Sequence, residues 1–330
     1  MWHKYRLILL LLTISFISSL SLTSQNKDSL LTKYENNKEK EEQINLLTQL
    51  VNEYINTDLK KAHQFSSELL KLALKTGNPE TISNAYSKLG LIEKKKGNYE
   101  ESIVLCKKSL EYTYKLNNSR NFSRSLNNLG LLYYKVGEYS LSLNYLNNSL
   151  QIKEVTQDSF GIAASYNNIG MLFKNINDYG QSLKYYYKSL EIKSKIDTNG
   201  TISSTYNNIG TVYHEIGKYD KALEHYNKAL NVSQKNGNLF EIPNLLLNIG
   251  LLYKDIEEME MSLFYYEKAL KLSEKHGLKG EKGKGLLLMG SLYHELKDYK
   301  NAIKYQETEK GFGFPGAGTN AAHGLPLQEN

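Results

Sequence analysis

Apolar and small residues return every 40 positions along most of the chain, marked by glycines at 90, 130, 170, 210, 250 and 290. Leu89, Leu129, Ile169, Ile209, Ile249 and Met289 stand immediately before them. Three residues beyond the glycine comes an aromatic in every copy but the first: Tyr133, Phe173, Tyr213, Tyr253 and Tyr293. Twelve beyond it is a small residue (Ser102, Ser142, Ser182, Ala222, Ser262, Ala302), and sixteen beyond it a bulkier one (Cys106, Leu146, Tyr186, Tyr226, Tyr266). Nineteen beyond it the chain is small again, at Ser109, Ser149, Ser189, Ala229 and Ala269. Spacings of three and four share one face of an α-helix, so each copy predicts two helices with facing apolar stripes. Between them Gly97, Gly137, Asn177 and Gly217 suit the left-handed backbone of a helix-ending turn. An aromatic closes that turn as Tyr99, Tyr139, Tyr179, Tyr219 and Tyr299, with Met259 the exception. Small residues on both helices let the backbones approach to the ~8 Å lower limit of helix separation.

Six copies at one period describe a stacked array in which each unit packs on its neighbours. An atypical copy precedes them: LLTQLVNEYINTDLKKAHQFSSELLKLALKTGN aligns Leu50, Tyr54 and Ala62 with the pattern and puts Val51 where the glycine belongs. Together these positions resemble the tetratricopeptide repeat, whose unit is an antiparallel pair of helices, A and B, usually of about 34 residues. The resemblance implies an all-α superhelix, or solenoid, of about seven hairpins over residues 44–310, with units near 44–78, 83–120, 123–160, 163–200, 203–240, 243–280 and 283–310. The six extra residues per unit are expected as a longer second helix and a longer loop. Pro243 falls where helix A of the fifth full unit should begin, a position proline suits. The 40-residue variant resembles the extracytoplasmic repeat regions of bacterial signalling proteins.

With the glycine set as position 8 of a unit, positions 5 and 6 carry paired asparagines. They are Asn127 and Asn128, Asn167 and Asn168, and Asn207 and Asn208, and the fifth unit keeps Asn248 alone. The segment YNNIG recurs unchanged at 166–170 and 206–210. Asparagine is a mediocre helix former, so its recurrence needs a reason. One reason is that the amides hydrogen-bond the neighbouring helix and fix the stacking. The other comes from the resemblance, which implies that helix A lines the concave side and that asparagine at position 6 grips the backbone of an extended peptide. An amide carries both donors and an acceptor, as that task requires. Position 9 is largely apolar, and Lys94, Lys135 and Lys174 make the first half of such a groove cationic. A partly acidic segment suits that half.

The chain has 26 tyrosines, nine phenylalanines, one tryptophan and only four prolines, and its net charge is +6. Its lysines form no block of the kind that binds nucleic acid. MWHKYR followed by LILLLLTISFISSLSL and then SLTSQ has the order of a secretory signal peptide. Residues 1–24 are therefore expected to direct export to the periplasm, or to remain as an anchor, with 25–43 as a linker. Cys106 is the only cysteine and has no disulfide partner. His214 and His294 lie two units apart, and neither a metal site, a cofactor site nor a catalytic pair is suggested. GFGFPG at 311–316 has the spacing of a phosphate-binding loop but no preceding strand. Residues 311–330 break sharply with the composition before them and are expected to be a disordered tail. The sequence thus points to a non-enzymatic module binding a protein or peptide. It would act as the sensor of a truncated signalling receptor or, alternatively, as a free-standing periplasmic scaffold or an accessory subunit of an envelope assembly complex. It does not fix the oligomeric state.

Overall fold

A computed structural model describes residues 27–116, 118–196 and 201–310, and every regular element among them is an α-helix. The expected signal peptide at 1–24 and the tail at 311–330, with its GFGFPG, lie outside the described residues. A first helix, α1, spans 27–36. Seven hairpins follow: α2 (Lys40–Tyr54) with α3 (Leu59–Thr76), α4 (Pro79–Lys96) with α5 (Tyr99–Lys115), and α6 (Ser119–Lys135) with α7 (Tyr139–Val155). The next two are α8 (Ser159–Asn175) with α9 (Tyr179–Ile196), and α10 (Thr201–Glu215) with α11 (Tyr219–Lys235). The last are α12 (Ile242–Asp255) with α13 (Met259–Lys275), and α14 (Lys279–Glu295) with α15 (Tyr299–Lys310). The fold is an all-α solenoid of hairpins, each even-numbered member being helix A. The chain divides into two compact units, residues 1–168 and 169–330, the division falling within α8.

At α4 and α6 the extra residues of the 40-residue unit start helix A earlier, because the capping chemistry sits there, whereas before α12 they form a six-residue connection, 236–241. Asn78 Oδ1 accepts from the amides of Glu80 and Thr81, with Pro79 in the first turn, and Asn118 caps α6 by accepting from Asn121 N. Only residues 116–118 then separate α5 from α6. Between helices A and B the backbone turns left-handed at Gly97 (φ +88°), Gly137 (+84°), Asn177 (+60°) and Gly217 (+70°). Glu257 and Lys297 occupy the same turn in the last two hairpins at +63° and +60°.

Position 8 is where helices A and B come closest. A Cβ on Gly170, Gly210 or Gly250 would lie 2.8, 2.7 or 2.6 Å from the ring of Tyr186, Tyr226 or Tyr266. Those three tyrosines are the largest fully buried side chains among the described residues. At the small position twelve beyond the glycine, serine hydroxyls donate to a helix A carbonyl in two hairpins, while Ser142 and Ser262 fit there by size alone. Ser102 reaches Gly90 O at 2.7 Å, and Ser182 reaches Gly170 O at 2.8 Å.

A second contact recurs within the later hairpins and draws on their tyrosines. The aromatic three residues beyond the glycine stacks on one twelve residues later, in helix B. Tyr133 pairs with Tyr145, Phe173 with Tyr185, Tyr253 with Tyr265 and Tyr293 with Tyr305, at centroid separations of 5.3–5.5 Å and interplanar angles of 5–9°. His225 takes the second place opposite Tyr213. Such pairs are worth about 0.5–1.5 kcal/mol beyond their buried area.

The N-terminal hairpin closes one end. Leu50, Val51 and Ala62 are fully buried, with Val51 standing in for the glycine. Where it is described, the stretch expected as a linker at 25–43 is instead structured, because Leu30, Leu31 and Tyr34 form one helical face of α1 that packs on α2 and α3. No described helix is long and apolar enough to cross a membrane.

Candidate functional site

The repeated polar positions of helix A divide into those bonded to the next helix A and those left open. Asn168 Nδ2 donates to Asn127 Oδ1 at 3.0 Å, and Asn248 Nδ2 donates to Asn207 Oδ1 at 2.8 Å. Position 6 of one unit thus reaches back to position 5 of the unit before. Positions 12 and 13 repeat the arrangement with charge in the second compact unit. Lys174 pairs with Glu215 at 2.9 Å and Lys254 with Glu295 at 2.6 Å, while His214 Nε2 bonds Asp255 Oδ2 at 2.8 Å. All five contacts join residues 41 apart, one more than the repeat period. Lys174, expected as a free groove cation, is therefore neutralised by its neighbour.

The first compact unit is different. Asn128 is exposed and has no hydrogen-bond partner among the described residues. The reason lies one unit back, where position 5 is Ser87 and not asparagine. Asn128 lines a cleft of about 360 Å³ whose walls come from α2, α4, α5 and α6 and include Asn45, Asn84, Ser87 and Arg124. With Lys94, Leu91 and Gly90 it also lines a smaller cleft of about 190 Å³. Lys94 has no acidic partner, whereas Lys88 and Lys95 are held by Asn52 and Asn56 of α2 and its following turn, at 2.6 and 2.9 Å. Partial burial lowers the pKa of Lys88. Lys135 is exposed, with its ammonium 5.7 Å from the ring of Tyr134.

The structure therefore brings Asn128 and Lys94 together, with Asn127 on the same helix. Asn167 and Asn208 are half-buried at the corresponding places on α8 and α10. Two residues of this region escape the repeat pattern: Arg120 and Arg124, on α6, are the only arginines among the described residues. Their rarity and their spacing of four were the available signal.

Other titratable groups are bound into the packing. Burial pushes the Cys106 thiol up, as befits an inert core sulfur beside Gly90. His225 Nδ1–H donates to Lys221 O, and the ring sits among Tyr187, Tyr206 and Tyr213. No group of three or more His, Cys, Asp or Glu among the described residues could hold a metal ion.

A family model described as tetratricopeptide repeat matches residues 81–155, 121–195, 161–235 and 201–275, overlapping matches that together run from 81 to 275. A second model of the same description matches 284–308. The chain belongs to the tetratricopeptide repeat family. Solved tetratricopeptide-like folds agree. A Rap protein complexed with competence and sporulation factor superposes with a TM-score of 0.63 at 13% identity, covering 89% of this chain and 98% of that one. NprR in complex with its cognate peptide NprX gives 0.60 at 16% identity, covering 88% and 84%. A STAND signal-transduction ATPase with a tetratricopeptide repeat sensor, from Pyrococcus horikoshii, gives 0.57 at 18% identity, covering 83% and 46%. At these identities the likeness is one of fold. Among curated proteins, no sequence matches.

Proposed function

We propose that the chain is a non-catalytic interaction module that holds an extended peptide, or an extended segment of a protein, against the helix A face of its first compact unit. The observation that carries this is the amide of Asn128, uncommitted in a cleft of about 360 Å³ while its equivalents Asn168 and Asn248 are bonded to neighbouring helices. An amide in that position can give a hydrogen bond to a peptide carbonyl and take one from a peptide N–H. Each such bond contributes on the order of 1 kcal/mol, so affinity comes from several acting together. Asn84 and Asn45 line the same cleft and supply the further amides. The NprR structure holds a cognate peptide on the same fold, which supports the reading.

The finer assignment is an exported sensor of a signalling receptor. It is supported by the charged, apolar and small-residue order of residues 1–24 and by the sensor role named for the repeat region of the STAND ATPase. Fusing residues 1–40 to a reporter that is active only outside the cytoplasm tests export, and an inactive fusion refutes it.

Selection of random decapeptides on the purified chain, followed by anisotropy with the winners, tests the binding mode. Asn128→Ala is expected to weaken binding about five- to tenfold, the equivalent of one hydrogen bond of ~1 kcal/mol or slightly more. Its melting temperature should be unchanged or slightly higher, since alanine is the better helix former. Asn248→Ala should lower the melting temperature and leave peptide affinity intact. The reverse pattern would place the ligand elsewhere.

A further inference from the structure

Arg120 and Arg124 lie one turn apart at the start of α6 and line a second cleft of about 330 Å³, whose far wall is formed by Lys153, Asp158 and the first turn of α8. Neither guanidinium has a hydrogen-bonding or ion-pairing partner among the described residues. Each carries five N–H donors in a planar fork, and a carboxylate is the group that matches this geometry with two parallel bonds. Lys153 is 8% exposed and its ammonium donates to Ser165 Oγ at 2.7 Å. Asn127 also lines the cleft; its Oδ1 is taken by Asn168, so its amide N–H groups are the part left to bond a ligand. Asp158 is the one acid in the lining, and its Oδ1 is engaged by Gly161 N at 2.9 Å. Three cationic side chains against one carboxylate leave the cleft positive. Phe160 stands on its rim with half its surface open to solvent.

We propose that this cleft takes a carboxylate side chain of the bound peptide, with an apolar residue beside it resting on Phe160. Arg124 lines both this cleft and the one that contains Asn128, so one extended segment can cross from the asparagines to the arginines. The inference rests on the peptide-binding reading above and specifies its ligand: an acidic segment with an apolar neighbour. In the first unit Lys94 stands beside Asn128, and the two arginines, which follow no repeat pattern, add to it the forked donors that match a carboxylate.

The test uses the same random decapeptide selection on the full chain and on the Arg120→Gln/Arg124→Gln double variant. Both arginines are exposed, so the variant should keep the wild-type melting temperature. Peptides selected by the wild type should be rich in Asp and Glu next to Leu, Ile or Phe. Replacing their acids with Asn and Gln should weaken binding about tenfold, as expected for loss of a charge-assisted pair. The double variant should select peptides with the acid content of the starting library, and bind the wild-type winners no better than their amide twins. Selection of neutral peptides by the wild type, or an acid preference that survives in the double variant, overturns the assignment and leaves the peptide reading standing. Failure to select any peptide defeats the peptide reading itself. Displacement of the acidic winners by inorganic phosphate, but not by acetate at equal ionic strength, would reassign the cleft to phosphate.

Discussion

The doubled asparagine of YNNIG has a division of labour. Position 5 offers an acceptor to the unit ahead, and position 6 gives a donor to the unit behind, as Asn127 with Asn168 and Asn207 with Asn248 show. One amide per helix could not serve both neighbours from a fixed rotamer, so two are spelled side by side. Where the series starts, the position 6 amide of Asn128 meets Ser87 one unit back and is left over. A second polar position that recurs at the repeat period is the buried lysine of helix B, Lys153 on α7 and Lys193 on α9. The Lys193 ammonium donates to Thr201 O at 2.9 Å and Thr205 Oγ1 at 2.7 Å, with Glu241 as the charge that favours it. Burial depresses its pKa from 10.5 to about 8. Between those two pH values the unfolded chain holds a proton that the folded chain has released, so the wild type gains stability as pH rises through that window. Lys193→Met has no such term. Comparing melting temperatures at pH 7 and pH 10 should therefore show the difference moving in favour of the wild type at pH 10, and no movement would mean that the lysine is solvated.

At the scale of the hairpin, the contact that sets geometry is glycine on a fully buried side chain. Gly210→Ala places a methyl 2.7 Å from the ring of Tyr226, which is 1% exposed and has nowhere to retreat. Replacing a helical glycine by alanine ordinarily stabilises by about 1 kcal/mol. Here the overpacking cost of about 1–3 kcal/mol opposes it and wins, because relief requires the two helices to separate. Urea unfolding of Gly210→Ala should show a lower midpoint than wild type, whereas an unchanged midpoint would mean that the ring can shift. The stacked ring pairs add a second clamp to the same hairpins, and the left-handed turns at Gly97 and Gly137 close them.

Across the whole molecule, the hairpins were legible in the sequence because the residues that build them recur: glycine, its bulky partner, and the small residues of helix B. The asparagines were legible as a set, but their roles were not. A repeat pattern shows that an amide is present at position 6 of each unit and not whether the unit behind supplies its acceptor. The arginine cleft was harder still, since Arg120 and Arg124 occur once and periodicity says nothing about singular residues. Helices α4 and α6 start about one turn before the apolar pattern does because their caps, Asn78 and Asn118, lie outside it, while Pro243 marks the start of α12 within its first turn. Helix α1 is hidden in the sequence because its three apolar residues, Leu30, Leu31 and Tyr34, are too few to stand out among polar and charged ones. If the uncommitted amides and arginines hold the ligand, binding belongs to the helix A face of the first unit. Hydrogen–deuterium exchange of the full chain, with and without a saturating selected decapeptide, tests it most directly. Protection is expected in α2, α4, α6 and the start of α8, with α10, α12 and α14 unchanged. Protection confined to α10, α12 and α14, or to the B helices, would contradict it.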